Sequence, residues 1–478
     1  MVNGMNKIVK RVQDEFKKNP DLITKEIPIS MFDSIWCIFL ETVSGSDKVN
    51  DYILKSLIAN KEKINKNNLD SFLAGPNTTQ ILEVDQIEFY LTNGFTVIIL
   101  KDQIFAIETK ADLTRSINIS DVEPSINGPK DAFVENYQTN IGLIKRRLKS
   151  SSLKIENRIV GRKTSTQVGV LYFDDIADKG LVKNILERID AIDIDGILDA
   201  SSLAFLLDGE NKSVYPTVYQ TERPDIVAMA LLEGKVVIMT DTSPFALILP
   251  SYLIDYINPN FDNYNKSVNV NFIKILRIIS FFITIATPAL YVALINFNQE
   301  AIPTTLLINF AVQRDGVPFP AVIETVIMLF ICEILRESDL RFPSSYGSAI
   351  SVLGAIIIGE ASVSAGIVTP IMIIIVAITF ISNLIFTNTE LNNAIRFFRV
   401  IFTIGAALFG LYGLMLAFLF FFIYTLNTTS FNHLYFAPFA PFDKSYFNDT
   451  VVKQPLRKDT KRSRLFVKDN LTKEKENL

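Results

Sequence analysis

The chain is poor in the residues that most enzymatic and metal chemistry draws on. Among 478 residues there is one histidine, His433, and there are two cysteines, Cys37 and Cys332. A multi-histidine metal site is excluded, as is a Ser-His-Asp apparatus drawn from the residues before His433. The two cysteines lie in unlike surroundings and provide neither a disulfide framework nor a zinc site of the usual kind. The N-terminal half has no GxGxxG or GxxxxGK[ST] loop to cradle a phosphate. A formal net charge of −4 gives nucleic acid no electrostatic attraction. These absences read as a protein that is not an enzyme and carries no cofactor. A further absence is local: no lysine occurs between Lys274 and Lys444.

Inside that interval the chain turns strongly apolar. Overall, 49% of residues are hydrophobic and the mean hydropathy is +0.27, yet 21% are charged. The two figures agree if part of the chain is soluble and part lies in a membrane. Three runs approach the roughly 20 residues that a bilayer span requires: Ile278 to Phe297, Ile367 to Phe386, and Val400 to Leu426. The shorter runs Ala301 to Val312, Phe319 to Leu335 and Ala349 to Gly359 suit broken or re-entrant segments, tolerated where protein or a water-filled cavity satisfies the backbone. Lys274, Arg277, Arg336, Arg341, Arg396 and Arg399 flank these runs, and nine Lys/Arg follow Val451. The positive-inside tendency puts all of them, with both termini, in the cytoplasm. The polar, lysine-rich opening from Met1 to Pro20 reads as no signal peptide.

The first 270 residues read as mixed α/β. Phe95 to Leu100 and Ile104 to Ile107 suit a hairpin, and Gln167 to Phe173 a strand. Lys179 to Ile189 has apolar residues at helical spacing. Ile192 to Ile197 reads as another short strand, and Val227 to Met239 as helix, turn and strand. Strand-helix-strand order favours an α/β sheet, and the basic stretch Lys145 to Lys163 separates two lobes. The expected organisation is an α/β lobe over 1–150, a second over 151–270, a multi-span helical membrane domain over 271–440, and a basic cytoplasmic tail over 441–478. Asp193 and Asp195 alternate and would suit a cation or, more simply, a solvated strand end.

Several segments together carry a resemblance. Thr221-Glu222-Arg223-Pro224-Asp225, Leu231 to Val236 (LLEGKV) and Asp241-Thr242-Ser243-Pro244 are similar to a TERPD…LLEG(R/K)V…D-x-[ST]-P series. Arg314 to Pro320 (RDGVPFP) with Glu324, then Glu333 to Glu337 (EILRE) and Arg341-Phe342-Pro343, continue it. Gly347 to Pro370, with Gly354, Gly359 and Gly366, completes it. The series resembles the GerA family of spore germination proteins, the A subunits of nutrient germinant receptors, or their stage V sporulation AF-type cousins. The resemblance implies a multi-pass protein of the spore inner membrane with cytoplasmic lobes. It implies a transporter-like B subunit and a lipid-anchored C subunit as partners, self-association, and ion release when a nutrient is sensed. A secondary transporter of the nutrient and a non-conducting scaffold are the rival classes. Asp339, where the family commonly has glycine, Glu360 and Ser364 depart from its pattern.

Glu324 and Glu333 lie nine residues apart in an apolar run and therefore on opposing sides of one helix. A charge at membrane depth costs about 2.5–3.5 kcal/mol on insertion scales and usually faces a cavity or a partner. A cation pathway is one reading of Glu324 and, more weakly, of Glu333; an ion pair with Arg314 or Arg336 is the other. Glu360 would line a constriction or mark a helix end. Gly354, Gly359 and Gly366 would allow close helix approach or contribute to gating, and Pro370 is a hinge or a segment end. Glu222, Arg223 and Asp225 form a charged turn before a helix, read as an inter-lobe or subunit contact with Pro224 at the first helical position.

Overall fold

Phe95–Leu100 reverses at Lys101, which takes φ 58°, and returns as Gln103–Glu108, the hairpin expected from its two apolar runs. Around it, in a computed structural model, Leu22–Pro28, Ser34–Leu40 and Thr78–Ile81 complete a five-stranded sheet that is antiparallel throughout. The structure describes the chain apart from residues 1, 30–32, 62, 65–67, 74, 76, 112–122, 124–127, 210–212, 259–263, 342–358, 456–459, 466, 468–469 and 474–478. Alternating strand residues face opposite sides. Val9 and Val12 of the helix Val2–Glu15, with Phe16 just after it, cover Ile38, Val97 and Ile99 on one face. Val49, Ile53 and Leu57 cover Ile35, Ile98 and Ile107 on the other.

A second five-stranded sheet follows, in the order Leu153–Val160, Thr166–Phe173, Val236–Thr240, Ala246–Leu249, Tyr219–Thr221. The helices Lys179–Asp190, Ala200–Asp208 and Pro224–Glu233 intervene as the strand-helix-strand order predicts. The sheet itself is antiparallel at every pairing, including Thr166–Phe173 with Val236–Thr240, so both lobes are antiparallel layers with helices. A parallel pair requires a crossover that re-enters at the same sheet end. Here several helices and an edge strand lie between the two strands, and the chain re-enters at the opposite end. Ile192–Ile197 is not a strand but an irregular connection, where Asp193 pairs with Arg162 and Asp195 with Lys163 at 3.1 Å on the surface.

The helix Tyr137–Arg147, upstream of position 150, packs with the second sheet: Tyr137, Ile141 and Ile144 share a core with Ile155 and Leu171. The basic stretch 145–163 is thus no separator; it supplies an edge strand. The lobes meet across a buried ion pair, Lys145 Nζ to Asp21 Oδ1 at 2.6 Å, and Thr42 donates to the same carboxylate. Burial holds the Lys145 ammonium pKa below its ordinary range, with Asp21 opposing that shift.

From Ser267 to Asn427 the described residues are mainly helical, and two short paired strands, Thr429–Ser430 and His433–Leu434, follow. Ser267–Asn296 and Thr389–Asn427 are long and apolar enough, by length and composition, to cross a membrane. The run Ile367 to Phe386 yields a helix of 14 residues, Pro370–Asn383, which spans about 21 Å and falls short of a bilayer core. Val400 to Leu426 differs more from its expected single span. Gly410, at φ 59° and ψ −138°, interrupts Thr389–Asn427. The rings of Phe402 and Phe418 lie 4.7 Å apart, whereas a straight helix would separate those residues by about 24 Å. The chain therefore doubles back at Gly410 into two antiparallel arms. Gly405 and Gly413 face one another where the arms come closest; a Cβ on Gly413 would sit 1.9 Å from the Gly405 carbonyl oxygen. The hairpin tip meets the end of the first long helix, with Leu411 N–H donating to Asn298 Oδ1 at 3.2 Å.

The other end of the hairpin is seated on the second lobe. Tyr215 lies 5.2 Å from the Phe398 ring and 5.2 Å from Tyr435, and its hydroxyl is 2.9 Å from Thr425 Oγ1. The segment after 441 also packs here instead of trailing free. Tyr446 of Lys444–Thr450 donates to Asp255, which is paired with Lys235 at 2.7 Å; Lys453 N–H bonds Asn271, and Arg462 Nε bonds the Leu232 carbonyl. Its basic residues obscured the aromatic anchors in the sequence.

Gly410→Ala forces a non-glycine residue to positive φ, at about 1–3 kcal/mol, and places a Cβ 2.6 Å from that of Phe297. The melting temperature of the detergent-solubilised chain should fall by several degrees. Gly316→Ala, with nothing within 4 Å of the new Cβ, should leave it unchanged.

Candidate functional site

Glu324 belongs to the first turn of the helix Ala321–Arg341 and is 0% exposed. Its Oε1 accepts from the Thr369 backbone N–H at 2.5 Å and from the Thr369 hydroxyl at 2.6 Å. Thr369 is the N-cap of Pro370–Asn383, its Oγ1 accepting from Met372 N–H, and Pro370 occupies the first helical position. The carboxylate therefore sits at the positive end of a helix dipole. Its Oε2 lies 3.6 Å from Arg314 Nη1, on the last residue of Thr304–Arg314. Beside this group a cavity of about 640 Å³ is lined by Asn296, Gln299, Leu307, Phe310 and Arg314. The ion pair with Arg314 thus has a geometric basis, whereas the cavity is lined mostly by apolar side chains and is reached by Arg314, not by the buried Glu324.

Glu333 faces a different helix, as nine residues of helical rotation require. Arg399 bonds its carboxylate, and Arg336 and Arg396 each approach it at 3.0 Å. Glu360 is exposed at the start of the helical residues 359–364 and joins neither group. Gly354 lies outside the described residues. Among the described residues a Cβ on Gly359 would meet nothing closer than Ile373 at 3.9 Å. Gly366 takes φ 64° and stands 3.0 Å, measured from an added Cβ, from the Gly316 carbonyl oxygen, so it serves a turn and not a helix-helix seam. The close seam is Gly405 with Gly413.

The charged turn Glu222, Arg223 and Asp225, expected to make an inter-lobe or subunit contact, is buried within the chain. Arg223 is 1% exposed and pairs with Asp225 through Nη2 at 2.7 Å, while Tyr264 donates to the same carboxylate at 2.7 Å. Glu222 Oε1 accepts from Glu123 N–H at 3.0 Å, and Glu123 Oε2 accepts from the Thr221 hydroxyl. Burial raises the Glu123 carboxyl pKa above its ordinary range, against the hydrogen bond from Thr221 and the nearby Arg223. The turn stitches the second lobe to its flanking connections, at Glu123 upstream and at Tyr264 before the first long helix. Sequence reasoning missed the roles of Thr369, Arg396 and Arg399; a hydroxyl before Pro370 and two arginines at three-residue spacing were the available signals.

The family model described as Bacillus/Clostridium GerA spore germination protein matches residues 10–465. Spore germination protein KA of Bacillus subtilis (strain 168) is 34% identical over 467 residues, covering 96% of this chain and 86% of that protein. Spore germination protein GerLA of Bacillus cereus is 31% identical over 455 residues, covering 94% and 92%. Among solved structures, the N-terminal domain of the A subunit of the Bacillus megaterium spore germinant receptor GerK3 is 27% identical. That match covers 50% of this chain and 92% of that one, at a TM-score of 0.39.

Thr369→Val removes the hydroxyl donor to Glu324, at about 1.5–3 kcal/mol for a bond to a charged group, and an N-cap acceptor, at about 1 kcal/mol. The melting temperature in detergent should drop for Thr369→Val and recover with Thr369→Ser.

Proposed function

Because the chain belongs to the GerA family of spore germination proteins, we propose that it is the A subunit of a nutrient germinant receptor. In this reading its helical half crosses the spore inner membrane several times, and its lobes and C-terminal segment lie in the cytoplasm. It acts with a transporter-like B subunit and a lipid-anchored C subunit, and its own copies associate to form or complete an ion-release path. The observation that carries the membrane reading is how little of the hairpin is covered. In the most apolar stretch of Thr389–Asn427, 33% of residues are buried, and Leu408, Phe409, Met415 and Leu419 face outward. Hydrocarbon is the solvent that such a surface fits.

Self-association is supported by Thr304–Arg314, which has no buried residue and exposes Leu306, Ile308 and Val312. Leu307, Phe310 and Arg314 form its half-buried face, and the exposed apolar side is left for a partner. Arg314 links that helix to Glu324, so an assembly that moves Thr304–Arg314 also alters the charge balance at the buried carboxylate. In this reading the ion path runs past Glu324 and Arg314.

Glu324→Gln keeps an acceptor for Thr369 and removes the charge. Potassium efflux from germinating spores matched for receptor abundance should slow, about fivefold for each 1 kcal/mol of lost cation attraction. The nutrient concentration for half-response should stay the same. Unaltered efflux at equal abundance would overturn the pore role, and low abundance with normal efflux per receptor would make Glu324 a structural partner of Arg314.

A further inference from the structure

The arginines around Glu333 exceed what an ion pair requires. Three guanidinium groups, from Arg336, Arg396 and Arg399, reach one carboxylate and leave two positive charges in the cluster. Arg399 is buried and by itself neutralises Glu333. Arg396 differs: its side chain is 41% exposed, and its buried Nε has no hydrogen-bond partner among the described residues. Placing further unneutralised charge against apolar helices is costly unless another anion shares the site.

The depth of the cluster identifies that anion. In the first long helix the basic residues end at Arg277, and the helix is apolar from Ile278 onward. Phe281, four residues further, packs on Phe421 at 6.1 Å, and Phe421 packs on Phe398 at 5.1 Å. Arg396 and Arg399 flank Phe398, so they lie about one helical turn inside the level where lysine and arginine cease. Long basic side chains at that depth reach back to the headgroup layer. Val400, one turn on from Arg396 and on the same face, is exposed, as is the neighbouring Phe397. Arg396 therefore faces lipid.

We propose that Arg336, Arg396 and Arg399 bind the phosphate of an anionic phospholipid at the lobe-facing end of the helical half, with Arg396 as the outermost contact. The proposal rests on the membrane reading above. Guanidinium matches phosphate in two-pronged geometry, and basic pockets between helices on the cytoplasmic side suit acidic headgroups. Glu333 holds the arginines in place and caps their net charge. A bound headgroup would bridge the helix Ala321–Arg341, which also carries Glu324, to the first arm of the hairpin.

The test uses the full chain in neutral detergent, titrated with phosphatidylglycerol, phosphatidylcholine or inorganic phosphate, with melting temperature and bound labelled lipid as readouts. Phosphatidylglycerol should stabilise the chain and phosphatidylcholine should not. Arg396→Gln should weaken phosphatidylglycerol binding about fivefold, the factor for one basic residue at a membrane surface. Glu333→Gln, which removes the competing carboxylate, should tighten it. Equal response to both lipids, or unchanged selectivity in Arg396→Gln, would overturn the site. Protection by inorganic phosphate alone would overturn the lipid as its source. A chain that stays soluble without detergent and binds neither lipid would overturn the membrane reading itself, a result distinguishable from a detergent-dependent chain that lacks selectivity.

Discussion

Tyr215 stands where two cores become one. A single buried cluster runs from Leu171 and Ile248 in the second sheet, through Tyr215, Tyr252 and Tyr435, to Phe398, Phe402 and Phe421 in the hairpin. The second lobe is therefore part of the same packed solid as the helices. Close-packed interiors transmit displacement, because they have discrete arrangements and little slack. Val214 N–H donating to Tyr424, and Ser430 bridging the Ser251 backbone N–H to the Thr217 carbonyl, fix the register of that junction with directional bonds. A shift of the hairpin must move the second lobe, and the reverse also holds. The first lobe joins differently, through the ion pairs Asp21–Lys145 and Lys18–Glu156 and the bond from Ile155 N–H to the Lys18 carbonyl, with its own separate core on each sheet face.

The helical half organises its charges in two ways. Glu324 is bonded at Oε1 by a helix N-terminus and has one arginine 3.6 Å from Oε2, so its environment depends on how Thr304–Arg314 is held. Glu333 is outnumbered by arginines and forms a fixed knot between two helices. The same residue type nine positions along one helix thus meets one arginine of a largely exposed helix in one case and three arginines from two helices in the other. Burial of an ion pair is weak evidence of stability, since desolvation offsets the attraction. Its value here is positional, because each pair fixes which helix faces which.

The buried turn at Glu222, Arg223 and Asp225 completes the connection. Through Glu123 it reaches the segment between the lobes, and through Tyr264 it reaches the approach to the first long helix. The C-terminal segment closes over the same lobe through Asp255 and Lys235. Three connections thus converge on one small antiparallel sheet, which accounts for the number of charged side chains buried within it.

Much of this was legible in the residues themselves. The lysine-free interval located the helical half, apolar runs gave the hairpin of Phe95 to Leu100 with Ile104 to Ile107 and the strand Gln167 to Phe173, helical spacing gave the helix near Lys179 to Ile189, and the motif series identified the family. Those features depend on local hydrophobic pattern or on residue identity, which the sequence carries directly. Other features needed the folded chain. Hydropathy could not distinguish one long span from two arms doubled at Gly410, because both read as unbroken apolar sequence and a single positive φ decides between them. Whether the second sheet was parallel or antiparallel depended on where the chain re-entered, a long-range matter invisible to local periodicity. The partners of Glu324 and Glu333 were set by helices 45 and 66 residues distant, and only tertiary packing brings such positions together.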